Sequence, residues 1–265
     1  MSNAVGQFTY RDGVAVIQLV PFTIFFGLGL VLCVRHGFRR SDGWVIVVTL
    51  SLLRILGACF QLATINYPDR AIYGGALICQ GIGLAPLTLL NLGLFTRLVV
   101  HTVSEHVLTT ISLTSIAGIG VAIYGGSKSA ESPTLETNDL LKASVLLFLA
   151  CYLAFACLEL IFLRKWRAIP RNEHQLLILF ACCAPLMVIR FLYAIIGTFV
   201  PSRRRRFGVL TGDVTIFLCM AVLEEIFTVA AYVFVGMRLD KLPPELRKRR
   251  PRRKLKLVIR DYFRG

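Results

Sequence analysis

The stretch Trp44–Ile65, WVIVVTLSLLRILGACFQLATI, decides the fold. It is 22 residues long, and about 20 apolar residues are enough to cross the hydrocarbon core of a bilayer. A helix lying on a soluble core carries an apolar stripe opposite a charged face. This one is apolar all round, and its single charge, Arg54, lies ten residues beyond Trp44. The reading is a membrane span. Six further segments share it: Val14–Val34, Ala71–Thr96, Val107–Tyr124, Leu140–Leu163, Gln175–Phe199 and Val214–Met237.

The predicted fold is all-α, a seven-transmembrane-helix bundle. A short extracytoplasmic N-terminus (1–13) precedes the membrane domain (14–237), and a basic cytoplasmic tail (238–265) follows it. The composition agrees: of 265 residues 56% are hydrophobic and 17% charged, and mean hydropathy is +0.69. Such a chain is not a disordered tail, a collagen-like repeat or a disulfide-stapled secreted module. The fourth span contains ISLTSIAGIG (111–120), whose small residues predict close helix packing rather than lipid contact. The first apolar run has 21 residues and no basic flank before it, so it reads as an uncleaved signal anchor. No Asn-x-Ser/Thr sequon occurs.

Basic residues set the expected orientation. Arg35, Arg39, Arg40, Arg97, Arg164, Lys165, Arg167, Arg171 and twelve cations from Arg238 onward fall on one side, twenty in all. The other side has seven: Arg11, Arg70, Lys128 and the run Arg203–Arg206. The richer side is expected to be cytoplasmic, with the N-terminus outside and the C-terminus inside. The four consecutive arginines on the poorer side depart from that rule.

Charges inside spans are costly and point to function or to pairing. Arg54, Arg190, Glu224 and Glu225 all fall near the midplane, and either arginine is a candidate partner for either glutamate. Adjacent glutamates on a helix diverge by about 100°, so each can address a different neighbour. Gln61, seven residues after Arg54, is expected on the same face, and span three adds Gln80 and Asn91. Pro86 removes one backbone hydrogen bond and is expected to kink that span. The set reads either as a polar cavity for a ligand, walled by spans two, three, six and seven, or as a static ion-pair network.

Catalytic signatures are missing: there is no Walker loop, GxSxG elbow or HExxH. Span seven has no lysine for a Schiff base. His36, His101, His106 and His174 lack ligand spacing for zinc, so no metal and no cofactor is expected. Glu159 beside Arg164 and Lys165 reads as an interfacial charge cluster. All eight cysteines fall inside spans, so no outer disulfide is expected, and Cys33 is a candidate for palmitoylation.

The tail carries Arg247, Lys248, Arg249, Arg250, Arg252, Arg253, Lys254 and Lys256. Leu255, Val258, Ile259 and Tyr262 then recur at helical spacing, as in an amphipathic helix on an anionic inner leaflet. A plain stop-transfer flank explains the same cations. The seven spans argue against nucleic acid as a partner and leave the lipid bilayer and an unidentified small ligand.

CVRHGFRRSDGWVIVVTLSLLRILGACFQLATI (33–65), IYGGALICQGIGLAPLTLLNLGLFTRL (72–98), HQLLILFACCAPLMVIRFLYAIIGTF (174–199) and MAVLEEIFTVAAYVFVGMRL (220–239) resemble a family of fungal seven-span integral membrane proteins of unknown function. The resemblance runs from about Val14 to Leu239. It implies that Gly37, Phe38, Trp44, Arg54, Gln61, Pro86, Arg190 and Glu224 matter, and it supplies no reaction. The expected function is a non-enzymatic, exporter-like transporter of a small amphiphile or lipid in the plasma membrane or an endomembrane. The alternative is a receptor-like sensor that signals through its loops and tail.

Overall fold

The computed structural model describes residues 6–36, 43–67, 69–98, 105–131, 138–164, 174–209 and 212–239. Those residues are helical, without strands. The helices are α1 (Tyr10–His36), α2 (Trp44–Ala63), α3 (Arg70–Ile82), α4 (Leu84–Leu98), α5 (Glu105–Glu131), α6 (Asp139–Arg164) and α7 (His174–Phe199). After a 3₁₀ turn (Pro201–Arg203) come α8 (Arg204–Phe207) and α9 (Val214–Phe217), then a π-helical segment (Leu218–Leu223) and α10 (Glu224–Arg238).

Seven of these units are long and apolar enough to span a membrane, at the positions read from the sequence. The chain is a multi-pass membrane protein on that ground. Large apolar side chains face outward along the bundle, among them Ile24, Leu52, Ile116, Leu153, Ile178 and Phe234. Lipid, rather than water, is the solvent that accepts such a surface.

Helix ends are set by short-range polar contacts. The Thr9 amide and hydroxyl both donate to the Asp12 carboxylate, at 2.9 Å and 2.6 Å, half of a capping box at the start of α1. Asp213 caps α9 by accepting from the Thr215 and Ile216 amides.

The third span is the most enclosed of the seven, and it is broken. Pro86 has no N–H for the Ile82 carbonyl, and its ring crowds that same carbonyl. Accordingly α3 stops at Ile82 and α4 begins at Leu84, with Gly83 between them. The expected kink shows as a one-residue break at Gly83, three residues before the proline. Phe95 on α4 anchors the core, its ring 5.3 Å from Phe155, 5.1 Å from Phe162 and 5.9 Å from Phe180.

The fourth span, α5, packs as expected on one side only. A Cβ at Gly118 would press on the Phe148 ring, and one at Gly126 on Ile78. Its other side is open, with Leu113, Ile116 and Tyr124 exposed, and it is the least enclosed of the spans. The small-residue stretch therefore marks a seam, and the expectation of packing in place of lipid contact holds for that seam alone.

At the end of the bundle opposite the N-terminus, α1, α2 and α10 close together. The His36 ring stacks on Trp44 at 5.6 Å, and Arg35 donates to the Met237 carbonyl. Gly236 is the residue that lets the Trp44 ring lie against α10.

Candidate functional site

Arg54 is among the largest wholly buried side chains of the protein. It meets Glu225 through two contacts, Nε to Oε1 at 2.7 Å and Nη2 to Oε2 at 2.6 Å. This is the fork-to-carboxylate geometry that arginine favours. The third nitrogen, Nη1, donates to Gln80 Oε1 at 2.7 Å and faces the Cys79 and Gln80 carbonyls at 3.4 Å. Those carbonyls belong to the last turn of α3, the negative end of a helix dipole. The break in span three thus supplies part of the cation's seat, as broken membrane helices do for ions.

A polar chain continues from there. Gln80 Nε2 donates to Gln18 Oε1 on α1 at 2.8 Å. A pocket of about 10 Å³ touches Gln18, Gln80, Gln61 and Arg11, roughly the space of one water. Beyond it Gln61 donates to Asp12 at 3.1 Å. Arg11 reaches across to the α8–α9 connection, donating to the Val209 carbonyl at 2.6 Å and the Gly212 carbonyl at 2.8 Å.

The structure therefore gathers Arg54, Glu225 and Gln80 at one point, and separates the other expected members. Gln61 is one step removed, half-buried and bonded to Asp12. Asn91 is engaged about two turns along α10 from Glu225, where it accepts from the Tyr232 hydroxyl and donates to the Leu87 carbonyl. Glu224 is buried, and its Oε1 accepts from Thr228 at 3.3 Å while Oε2 has no partner. Pro86 acts on the site through the helix break.

Arg190 differs from Arg54. It is 3% exposed, its charged neighbours are Glu225, Arg54 and Glu224, and no carboxylate lies at ion-pair distance among the described residues. Its Nε is unpartnered. Instead Arg190 lines a cavity of about 110 Å³, about 930 Å³ with its open mouth. Tyr193, one turn on, lines the same cavity with its hydroxyl also unpartnered. The remaining wall is mostly apolar, from α3, α5, α6 and α7 and from Phe207–Val209.

That wall corrects the sequence expectation of spans two, three, six and seven. Arg54 and Glu225 tie spans two and seven together by an ion pair, and neither span lines this cavity. The space lies instead on the far side of α3, against the fourth, fifth and sixth spans. Two smaller corrections follow from burial. Glu159 is 5% exposed while Arg164 is exposed, so Glu159 is an interior group and not part of an interfacial cluster. Cys33 is fully buried, which removes it as an acylation site. The tail cations Arg247–Lys256 lie outside the described residues, as does His101.

Gln18, Asp12, Tyr193, Thr228 and Gly83 were not among the sequence candidates. Gln18 carries a usable signal, an amide within a span. Tyr193 and Gly83 carry none without the partner helix.

No curated protein and no solved structure matches the chain. Residues 8–242, which take in the whole bundle and every residue of this site, match a family described as a domain of unknown function, DUF7702, and the chain belongs to that family.

Proposed function

We propose that the protein is a transporter-class, exporter-like membrane protein that takes a small amphiphile or lipid into its bundle. The observation that carries this reading is Arg190, a buried cation on the wall of a largely apolar cavity with no carboxylate at ion-pair distance among the described residues. A static ion-pair network accounts for Arg54 and Glu225, which satisfy each other. It accounts less well for Arg190, whose neighbours Glu225 and Glu224 act on it without an ion-pair contact, because a charge inside a membrane protein is costly unless it is directly paired or serves a function.

The same reading has the N-terminus outside, the C-terminus in the cytoplasm and the tail cations on anionic inner-leaflet lipids. It places the protein in the plasma membrane or an endomembrane of a fungal cell, following the family resemblance.

The test compares tolerance to amphiphiles, and whole-cell lipid and metabolite profiles, in wild-type, deletion, Glu224→Gln and Gly81→Trp strains. Gly81 lines the cavity, and a Cβ there meets nothing within 4 Å, so a tryptophan would grow into open space. Loss of tolerance in the deletion, reproduced by Gly81→Trp at normal protein level, is the expected result. Unchanged uptake and efflux with altered signalling output would favour the receptor-like alternative.

A further inference from the structure

We infer that the cavity beside Arg190 holds the carboxylate head of a single-chain anionic amphiphile, and that Arg203, Arg205 and Arg206 form a cationic collar at its lip. The inference rests on the cavity being the ligand site proposed above, and adds the chemistry of the ligand.

The polar inventory of the wall is one-sided. A guanidinium donates and never accepts. Arg190 Nε and the Tyr193 hydroxyl are both buried and both free. Of the other polar side chains on the wall, Thr198 adds a second hydroxyl, and two are already engaged. The Gln80 amide is spent on Arg54 and Gln18, and the Ser144 hydroxyl donates to the Leu141 carbonyl. Behind the wall Glu225 is committed to Arg54, and Glu224 accepts from Thr228 through Oε1 while its Oε2 has no partner. The charge on the wall is that of Arg190, with a hydroxyl beside it, the Arg190 carbon lying 5.8 Å from the Tyr193 ring centre. Arg11 is the second cation acting on Tyr193. A neutral guest would leave the charge uncompensated, and a cationic guest would be repelled.

The apolar remainder sets the rest of the molecule. A space of about 110 Å³ takes a carboxylate and a few methylenes, and Leu77, Leu141, Val145 and Ala194 are among its apolar lining. An acyl chain satisfies such a wall, whereas a hydrated small anion does not.

The collar explains the arginines that break the positive-inside pattern. Arg203, Arg205 and Arg206 are exposed, and the next three residues, Phe207–Val209, form one wall of the cavity. Arg11 fastens that wall to α1 through the Val209 and Gly212 carbonyls. A ring of one sign above a low-dielectric cleft raises the local concentration of the opposite charge and speeds its capture.

The experiment uses the full chain in nanodiscs of neutral phosphatidylcholine, with empty nanodiscs as the partition reference. The probes are decanoate, decanol, decyltrimethylammonium and acetate. Decanoate is expected to bind at least about tenfold tighter than decanol, since a charge-assisted hydrogen bond is at stake. Decyltrimethylammonium and acetate are expected not to bind. Arg190→Gln should abolish the preference of decanoate over decanol, and Tyr193→Phe should reduce it roughly threefold. Replacing Arg203, Arg205 and Arg206 by Gln should slow decanoate capture, flatten its salt dependence and leave decanol unchanged.

Equal binding of decanol and decanoate overturns the anionic head and spares the amphiphile site. Acetate binding as well as decanoate overturns the acyl chain. Binding of no probe, or of none that Gly81→Trp blocks, overturns both the inference and the proposed function. Should Arg190→Gln fail to fold, an unchanged preference in Tyr193→Phe together with an unchanged salt dependence in the collar variant overturns the assignment.

Discussion

The guanidinium of Arg54 fills the space that a Cβ on Gly83 would need, although the two residues belong to different spans. The glycine sits in the helix break that Pro86 enforces, so sequence chemistry in span three makes the seat for a charge in span two. Replacing Gly83 by Ala is expected to push the guanidinium off Glu225. The loss should approach that of a broken buried ion pair, about 3–5 kcal/mol. Thermal unfolding of the purified protein reads it, and combining Gly83→Ala with Glu225→Gln should add little to either change alone. Gly81→Ala, two residues earlier and facing open space, should stay within about 1 kcal/mol of wild type. Equal costs at both glycines would disprove the seat.

Arg54 and Glu225 are expected to be asymmetric under charge reversal. Each single replacement strands its partner, at about 3–5 kcal/mol. The double swap, Arg54→Glu with Glu225→Arg, should recover only part of that loss. An acid at position 54 would face the Cys79 and Gln80 carbonyls that now welcome a cation. An apolar pair, Arg54→Met with Glu225→Leu, should recover more. A double-mutant cycle on unfolding temperature measures both outcomes, and full recovery by the swap would argue against the carbonyl contribution.

Tyr232 and Asn91 form a second buried link, between α10 and α4. Tyr232→Phe removes the donor and leaves the Asn91 oxygen buried without it, at a cost of about 1–3 kcal/mol. Because the link lies away from the cavity, this change should lower stability and leave decanoate selectivity intact. A shift in selectivity would show that the two polar regions are coupled.

The spans were legible because length and uniform hydropathy leave little choice in a bilayer. Depth along each span also picked out Arg54, Arg190, Glu224 and Glu225 without any partner in view. Which glutamate meets Arg54 was not legible. Neighbouring helical residues diverge by about 100°, and the π-helical turn over Leu218–Leu223 resets that angle just before Glu224. Gln61 shows a different limit. Seven residues from Arg54 keep it on one face but roughly 10 Å along the axis, which brings it to Asp12 and past the ion pair. The cavity was misplaced for a related reason: a sequence shows where polar groups are, and only packing shows which of them have already found each other.

Orientation is open to a direct check. Twenty basic residues on one side against seven on the other predict an external N-terminus and a cytoplasmic C-terminus. Tags at Met1 and at Gly265, probed on intact and then permeabilised cells, should be accessible at once and only after permeabilisation, respectively. The opposite pattern would put the arginine collar in the cytoplasm and reverse the direction from which the cavity is loaded.

The pairing of Arg54 with Glu225 spans 171 residues of chain, and this sets an order of events during synthesis. The second span must enter the bilayer carrying an arginine whose counter-ion does not yet exist. At about 5–20 residues per second the wait lasts on the order of ten to thirty seconds. Only the last span to be made can end it. A chain that stops short of span seven is therefore left with a stranded membrane charge, a mark by which the cell's quality-control machinery can tell unfinished molecules from finished ones.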